Sequence, residues 1–214
     1  EILQIDATDP GFLSDIKIWA ESTNNQVVSL NQNDKIISAK IKKGIGEKFT
    51  SRNFSGNLPD GKNIIVFSGD LDKAIASFII ANGAAAMGKQ VSMFFTFWGL
   101  NILRKPKKIR VKKNLIEKLF GWMMPRGPEK LELSQMKMLG IGTKMIKRIM
   151  KKHNIDSLHS LMQSAMKNGV KLIACQMTMD LMGIQKAELI EGVNIGGVAT
   201  MLGFSDQSNM SLFI

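Results

Sequence analysis

The sequence predicts an α/β protein whose mostly parallel sheet is covered by helices on both faces, with a small α+β unit before it. Two observations predict the sheet. Residues 63–67 and 91–97 are short apolar runs of the kind found in parallel strands buried on both faces. Strands and helices then alternate along the chain, as in sheets built from parallel crossover units.

Composition sets limits on the class of protein. The hydrophobic fraction of 44% is enough for a packed core. One cysteine excludes an intramolecular disulfide and an all-thiolate metal site, and the two histidines show no zinc spacing. We therefore expect no metal, no cofactor held by this chain and a reducing, cytoplasmic setting. The first residues lack the basic start and apolar core of a signal peptide.

Residues 1–45 are predicted to form the small α+β unit, in the order strand, helix, strand, strand. The helix, residues 12–23, carries Phe12, Ile16 and Trp19 at helical spacing. The three strands alternate apolar and polar residues and are expected at 2–5, 26–30 and 35–41, with turns at 8–11 and 31–34.

A linker is predicted at residues 46–61, where Gly, Ser, Asn and Lys replace the apolar periodicity. The second domain then covers residues 62–214. The chain starts without a methionine and already in a strand-like pattern, so we expect it to be a piece of a longer protein.

The elements of the second domain follow in order. After the first apolar run, Ser68-Gly69-Asp70 leads into an Ala-rich helix at 74–87, which is too short to span a bilayer. Further elements are predicted as a helix at 157–167, a strand at 171–174, a short helix at 177–182, a turn region at 192–197 and a last strand at 211–214. Asp70 and Asp72 are expected to cap the first helix, or else to shape a site.

Chemistry is expected at the carboxyl ends of the strands, where ligands gather in open parallel sheets. The Ser68 turn, Thr96–Gly99 and the single cysteine, Cys175, all follow predicted strands. Cys175 has two readings. It is either a small packed side chain, or a nucleophile favoured as thiolate by the helix that begins beside it.

The run 174–184, Ala-Cys-Gln-Met-Thr-Met-Asp-Leu-Met-Gly-Ile, together with the opening strand and its Ser-Gly-Asp turn, resembles the methionine-rich branch of the DsrE/DsrF-type sulfur-relay family. The resemblance covers about residues 61–214. It implies a three-layer α/β/α domain with a five-stranded sheet, homo-oligomers, and a persulfide carried on Cys175. The residues expected to shape the sulfur site are Ser68, Gly69, Asp70, Thr178 and Asp180.

Residues 1–43 resemble the second half of a TusA/SirA-type domain, through Ala7-Thr8-Asp9-Pro10-Gly11 and the helix with Trp19. That family carries sulfur on a Cys-Pro-x-Pro motif, which this chain lacks. The order of the two units resembles the tail of larger fusions that hold a rhodanese and a flavin-dependent module of the CoA-disulfide reductase/NADH oxidase type. A donor thiol, of rhodanese or TusA type, is therefore expected upstream.

The basic segment carries the net charge. Residues 101–152 hold sixteen Lys or Arg and three Asp or Glu, so the rest of the chain is slightly acidic although the whole carries +11. The cluster at 104–113, and the helix-like stretch with Leu115, Leu119, Phe120, Trp122 and Met123, are expected to contact a partner or second subunit, a membrane surface, or only water. Nucleic acid is disfavoured because aromatic residues are not interleaved with the charges.

Two functions follow from the sequence. The first is a cytoplasmic sulfur relay, a persulfide carrier or sulfurtransferase-like protein at most, that uses Cys175. The second is a non-catalytic module for oligomerisation or for membrane or partner docking, in which Cys175 is packed and inert.

Overall fold

The structure is a computed structural model that describes residues 1–8, 11–22, 25–33, 36–44, 59–109, 111, 113–136 and 140–214. Most of the predicted linker at 46–61, and parts of both predicted turns at 8–11 and 31–34, lie outside these ranges.

A small unit forms first, with a three-stranded antiparallel sheet and one helix. Its elements are β1 (Ile2–Ala7), α1 (Phe12–Ser22), β2 (Gln26–Asn33) and β3 (Ile36–Lys42). The strand order is β1-β3-β2, and Ile16 of the helix packs on Ala39 and Ile41 of the central strand. The predicted order of elements is confirmed. However, β2 extends through Asn33, where a turn was expected, because these residues continue the pairing with β3.

The large sheet has five parallel strands, which confirms the predicted fold class. Its strands are β4 (Gly61–Val66), β5 (Val91–Phe95), β6 (Lys171–Cys175), β7 (Asn194–Gly196) and β8 (Ser208–Phe213). They lie in the order β7-β6-β5-β4-β8. The sequence of residues 192–197 predicts a turn region. That prediction was wrong at β7, which is only three residues long and ends in glycine, and so has no apolar run to reveal it.

Helices cover both faces of this sheet. They are α2 (Leu71–Ala86), α3 (Leu115–Met123), α4 (Ile141–Lys152), α5 (Leu158–Lys167), α6 (Gln176–Met182) and α7 (Val198–Asp206), with a 3-10 helix at Phe97–Leu103. Successive strand residues face opposite sides. Met93 and Phe95 therefore enter the main core with α2 and α5, whereas Phe94 enters a smaller core under α7. The result is three layers.

The small unit rests on the outer side of the second helical layer, where α1 packs against α7. Within the described ranges, none of the helices is both long and apolar enough to cross a bilayer. The position of α7, between the sheet and the small unit, determines how the cysteine is covered.

Candidate functional site

Cys175 is the last residue of β6 and directly precedes α6. This is the strand-to-helix position that the sequence predicts. The residue is 2% exposed and lies in the core between the sheet and α7, beside Phe94 and Ile173. Met201 and Phe204 of α7 pack against the same cluster. The thiol is therefore at the expected edge of the sheet, but it is covered.

The helix that covers Cys175 is capped by a side chain from the small unit. Asp15 Oδ1 accepts hydrogen bonds from Gly197 N–H at 3.0 Å and from the Thr200 hydroxyl at 2.7 Å. It also accepts from Thr200 N–H at 3.3 Å, while Oδ2 accepts from Ala199 N–H at 3.2 Å. A carboxylate at this position satisfies orphan amides and the positive end of the helix. Asp15 therefore attaches the small unit to the cover of the cysteine.

Thr178 and Asp180 lie on opposite sides of α6. Thr178 is buried, and its hydroxyl is 2.9 Å from that of Thr96 at the end of β5. Asp180 is exposed and accepts a hydrogen bond from Gln176 Nε2 at 2.8 Å. Thr178 thus holds the helix that follows Cys175, whereas Asp180 organises only the outer surface of that helix.

Ser68, Gly69 and Asp70 lie together on a cavity of about 810 Å³, which is also lined by Trp98, Trp122 and Arg126. The cavity is at the carboxyl ends of β4 and β5, as the sequence predicts for a ligand site. Cys175 does not belong to its described lining, because its side chain enters the core under α7. The predicted site residues are therefore divided between two places.

Asp70 occupies the N-cap position of α2, but its carboxylate makes no capping hydrogen bond. It accepts from the Ser68 hydroxyl at 2.8 Å and pairs with Lys73 at 3.1 Å. The first amide of the helix, at Leu71, donates instead to the Glu132 carbonyl at 2.7 Å.

Asp72 lies in the first turn of α2, and its carboxylate accepts hydrogen bonds from the backbone N–H and the hydroxyl of Ser134 at 2.8 and 2.6 Å. The expectation that the Asp70 side chain caps the helix was therefore wrong, whereas Asp72 does lie in the first turn of the helix. Both carboxylates have closer donors elsewhere.

Two glycines allow the turns after β4 and β5 to touch. A Cβ on Gly69 would lie 2.8 Å from the Trp98 carbonyl oxygen, and one on Gly99 would lie 2.2 Å from the Val66 carbonyl oxygen. Gly99 N–H also donates to the Phe67 carbonyl at 2.9 Å. Gly69 therefore shapes the cavity through close backbone approach.

Part of the basic segment is buried. The Arg104 side chain is fully buried, and Lys113 nearly so, while Lys107 and Lys108 are exposed. Arg104, Lys113 and Arg126 all pair with one buried carboxylate, Glu188. The expectation of a uniformly solvated or partner-facing charge run was wrong at Arg104 and Lys113.

The pKa of Glu188 is below its ordinary value. Burial alone would raise this pKa, but hydrogen bonds from Lys113 and from Gln185 N–H, together with the charges of Lys113 and Arg104, outweigh burial. The pKa of Arg104 is lowered, first by burial and then by the charge of Arg126, while Glu188 opposes the change.

Two residues that organise these sites, Asp15 at the start of α7 and Glu188 among the buried cations, were not predicted from the sequence. Asp15 contacts residues more than 180 positions away, and Glu188 contacts Arg126 across 62 positions. The only local signal for Glu188 is its capping-box spacing to Gln185. Among the described residues, no group of three or more His, Cys, Asp or Glu is arranged to hold a metal ion.

The chain is similar to a protein family, to individual proteins and to a solved structure. The profile of the DsrE/DsrF/DrsH-like family matches residues 59–213. Over 151 residues the chain is 53% identical to "Uncharacterized protein YrkE" of Bacillus subtilis, covering 71% of this chain and 94% of that protein. Over 155 residues it is 39% identical to "Sulfur carrier protein DsrE2" of Allochromatium vinosum, covering 71% and 96% respectively.

A solved structure, that of the ychN protein from E. coli, aligns with 72% of this chain and 99% of its own, with 11% identity and a TM-score of 0.46.

Proposed function

Since the chain belongs to the DsrE/DsrF/DrsH-like family, we propose that it is a sulfur-relay protein in which Cys175 carries a sulfane sulfur as a persulfide. The supporting observation is the alignment, over most of the chain, with a relative named as a sulfur carrier. Cys175 is the single thiol in the sequence, and it ends a parallel strand where reactive groups are commonly delivered.

The chemistry is a sulfur exchange between two thiols. The Cys175 thiolate attacks the outer sulfur of a donor persulfide, an S–S bond forms on Cys175, and the donor's S–S bond breaks to release its thiolate. Transfer onward repeats the step with an acceptor thiolate. Because the chain has one cysteine, donor and acceptor thiols both come from elsewhere, and we propose an upstream rhodanese or TusA-type cysteine as donor and a cytoplasmic setting.

Access requires movement, because Cys175 is buried under α7. Only an exposed thiolate exchanges sulfur. We therefore assign loading to an opened form in which α7, with the small unit attached through Asp15, moves away from β6. Thr178 keeps α6 attached to the end of β5 while this happens.

The test is intact mass after incubation with inorganic polysulfide in native buffer. We expect a gain of about one sulfur atom, reversed by a reductant and absent in Cys175→Ser. The exposed Asp180→Asn variant is the matched control and should load like the wild type. A mass gain retained in Cys175→Ser, with near-ultraviolet circular dichroism unchanged, would rule out this carrier site.

A second candidate function is docking on an anionic membrane surface, and the exposed faces of α3 and α4 support it. Leu115 and Trp122 of α3 are 86% and 78% exposed, and Ile141, Met145 and Ile149 form an exposed apolar stripe on α4. Five basic residues share α4 with this stripe: Lys144, Lys147, Arg148, Lys151 and Lys152.

This candidate predicts salt-sensitive co-sedimentation with phosphatidylserine vesicles. Neutral vesicles are the control. If the protein remains in solution and its native mass corresponds to more than one chain, the same faces are instead used between copies of the chain.

A further inference from the structure

A cluster of three cations surrounds one carboxylate beside the cavity, and is named here the cationic cluster: Arg104, Lys113, Arg126 and Glu188. Arg104 Nη2 is 3.5 Å and Arg126 Nη1 is 3.1 Å from Glu188 Oε1, and Lys113 Nζ pairs with Oε2. The side chains of Arg104 and Glu188 are fully buried, that of Lys113 is 6% exposed, and that of Arg126 is 13% exposed.

The carboxylate of Glu188 is shared by all three cations. Its Oε1 accepts a hydrogen bond from Arg126 Nη1 and forms an ion pair with Arg104, while Oε2 accepts from Gln185 N–H at 3.1 Å and forms an ion pair with Lys113. Two of its acceptor positions are filled by these hydrogen bonds, and its single negative charge is shared by the three cations. Three positive charges therefore face one negative charge, and the described ion pairs of all three cations end on Glu188.

Arg104 still has donors without an acceptor. Its Nη1 donates to the Asn101 side-chain oxygen at 3.2 Å and to the Pro125 carbonyl at 3.4 Å. Its Nε and Nη2 make no hydrogen bond, although the side chain is fully buried. Buried charged donors that stay unsatisfied are costly, so this position favours an acceptor that carries negative charge.

Gly121 provides the space for such an acceptor. The position of a Cβ on Gly121 is 3.6 Å from Arg126 Nη2, 3.8 Å from Lys113 Nζ and 4.0 Å from Arg104 Nη2. All three cations therefore converge beside one residue that has no side chain. Gly121 and Arg126 line the cavity of about 810 Å³, whereas Arg104 and Lys113 lie behind them, outside its lining.

The other charged side chains along the cavity do not cancel the excess positive charge of the cationic cluster. Asp70 pairs with Lys73, and the remaining charged lining residues are Lys108, Lys130 and Glu132, all exposed. Two of these three are again positive. The side of the cavity at Gly121 and Arg126, with Arg104 and Lys113 buried behind it, is therefore the more strongly cationic part, and there the low dielectric strengthens attraction for an anion.

We propose that the cationic cluster binds a small oxoanion with about two negative charges, of the phosphate or thiosulfate type, that enters the cavity beside Gly121. Arg104 and Arg126 donate to its oxygens, Lys113 adds charge, and Trp98 and Trp122 form the outer walls. The site is separate from Cys175, so it does not depend on the sulfur-relay proposal.

The pKa of Arg104 is consistent with this arrangement. Burial and the neighbouring Arg126 lower it, which means that the site as it stands opposes the positive charge. A bound anion would reverse that effect by adding a second negative partner.

The experiment is a titration of the full chain with sodium phosphate and, separately, with sodium thiosulfate at constant ionic strength, followed by tryptophan fluorescence and calorimetry. Trp98 and Trp122 line the cavity and report on it. We expect binding of the anion to saturate, with half-occupancy below about 1 mM. Sodium chloride at equal ionic strength is the control and should give no saturable change. If phosphate binds more tightly than thiosulfate, the natural ligand of the site carries a phosphate group. If thiosulfate binds more tightly, the natural ligand is a sulfur oxoanion.

Two variants test whether the anion binds beside Gly121. Arg126→Gln removes a partly accessible donor and should weaken binding about tenfold or more. Gly121→Ala keeps every charge and favours the helix, but its methyl group occupies the space beside the three cations, and it should weaken binding as well. Lys167→Gln, exposed on α5 and outside the cavity lining, is the charge-matched control and should bind like the wild type.

The proposal is overturned if neither anion saturates, if chloride matches them, or if Gly121→Ala binds like the wild type. The Cys175→Ser protein should bind both anions unchanged. Failure of sulfur loading and failure of anion binding can therefore be told apart.

Discussion

Glu188 is the residue on which the interior charges of the large domain depend. Its side chain is fully buried with Arg104, and it also pairs with Lys113 and Arg126. Removing one partner of a buried pair leaves an uncompensated charge, which costs more than the pair contributes. Here one carboxylate serves three cations, so its loss leaves all three without a counter-ion.

Replacement of Glu188 by Gln should lower the free energy of unfolding by about 3–5 kcal/mol. Thermal or urea unfolding measures this loss. Glu129→Gln removes the same charge from an exposed position and should change stability by less than about 0.5 kcal/mol. Equal unfolding midpoints for the two variants would contradict the assigned role of Glu188.

The lowered pKa of Glu188 also predicts that the stability of the folded protein falls in acid. The pKa of Glu188 is lower in the folded protein than its ordinary value, so its contribution to stability is complete above the ordinary carboxylate range. It is lost as the pH falls from that range through the folded-state pKa. Urea unfolding between about pH 7 and pH 3 should show this loss in the wild type and a smaller one in Glu188→Gln.

Gly99 and Gly83 offer a matched pair of substitutions. A Cβ on Gly99 would lie 2.2 Å from the Val66 carbonyl oxygen, whereas one on Gly83, within α2, would meet nothing within 4 Å. Gly99→Ala should therefore destabilise the protein by about 1–3 kcal/mol, through forced backbone movement. Gly83→Ala should stabilise it by about 0.5–1 kcal/mol. A destabilised Gly83→Ala, or an unaffected Gly99→Ala, would show that the described packing is wrong.

Single residues could be predicted where local pattern was enough. Cys175 was placed at the end of a strand because the apolar run before it, 170–174, is unmistakably strand-like. Asp15 and Glu188 could not be assigned, since their partners are distant in sequence and only the tertiary fold brings them together. The sequence correctly predicts Asp70 at the start of a helix, but its carboxylate accepts a hydrogen bond from Ser68 and forms an ion pair with Lys73.

Among the elements, α7 has the largest influence on access to Cys175, because one of its faces packs on the large sheet and the other packs on the small unit. Its inner face covers Cys175 through Met201 and Phe204, and its N-terminus is capped by Asp15 of α1. A helix whose cap comes from another unit is stabilised only while that unit is docked. The small unit therefore influences how often the thiol is uncovered.

Asp15→Asn should accelerate alkylation of Cys175. The amide keeps one acceptor oxygen but loses the charge at the start of α7, which costs about 1 kcal/mol and corresponds to about a fivefold rise in the open population. The rate of modification by iodoacetamide in native buffer, followed by mass spectrometry, measures the effect.

Asp6→Asn is the control for this substitution, because Asp6 lies exposed on β1 and carries the same charge. An unchanged rate in Asp15→Asn, or the same rise in both variants, would exclude the cap as a determinant of access.

Elements were predictable in proportion to their length and periodicity. The apolar strands β4, β5 and β6 and the helices α2 and α5 were expected close to where they lie. By contrast, β7 has three residues and no apolar run, and it exists only because it pairs with Ile173–Cys175 of β6. Pairing of this kind is a tertiary effect that local sequence does not encode.

At the scale of the whole molecule, the two cores differ greatly in size. Among the described residues, the hydrophobic side chains buried in the small unit are Ile16, Ala20, Ile37, Ala39 and Ile41, while the main core of the large domain fills one side of its sheet. Units of about 40 residues bury too little surface to be stable alone. The resemblance of residues 1–43 to part of a TusA/SirA-type domain, and a parent fusion protein, stay predictions.

Hydrogen exchange of backbone amides should distinguish the stability of the small unit from that of the large domain. Backbone amides of β1–β3 should exchange at a lower opening free energy than those of β5 and β6, because they depend on the smaller core and on docking through α1. Asp15→Asn should accelerate exchange in β1–β3 and in the first turn of α7 and leave β5 unchanged. Uniform protection across both sheets would show instead that they unfold as one cooperative unit.

The pairing of β4 with β8 also has a consequence for synthesis. The first strand of the large sheet lies beside the last, so this sheet stays incomplete until Phe213 has been translated. Ribosomes add about 5–20 residues per second, so Cys175 precedes the residues of its cover, Val198–Asp206, by a few seconds. During that interval the thiol has been synthesised but the helix that later covers it has not.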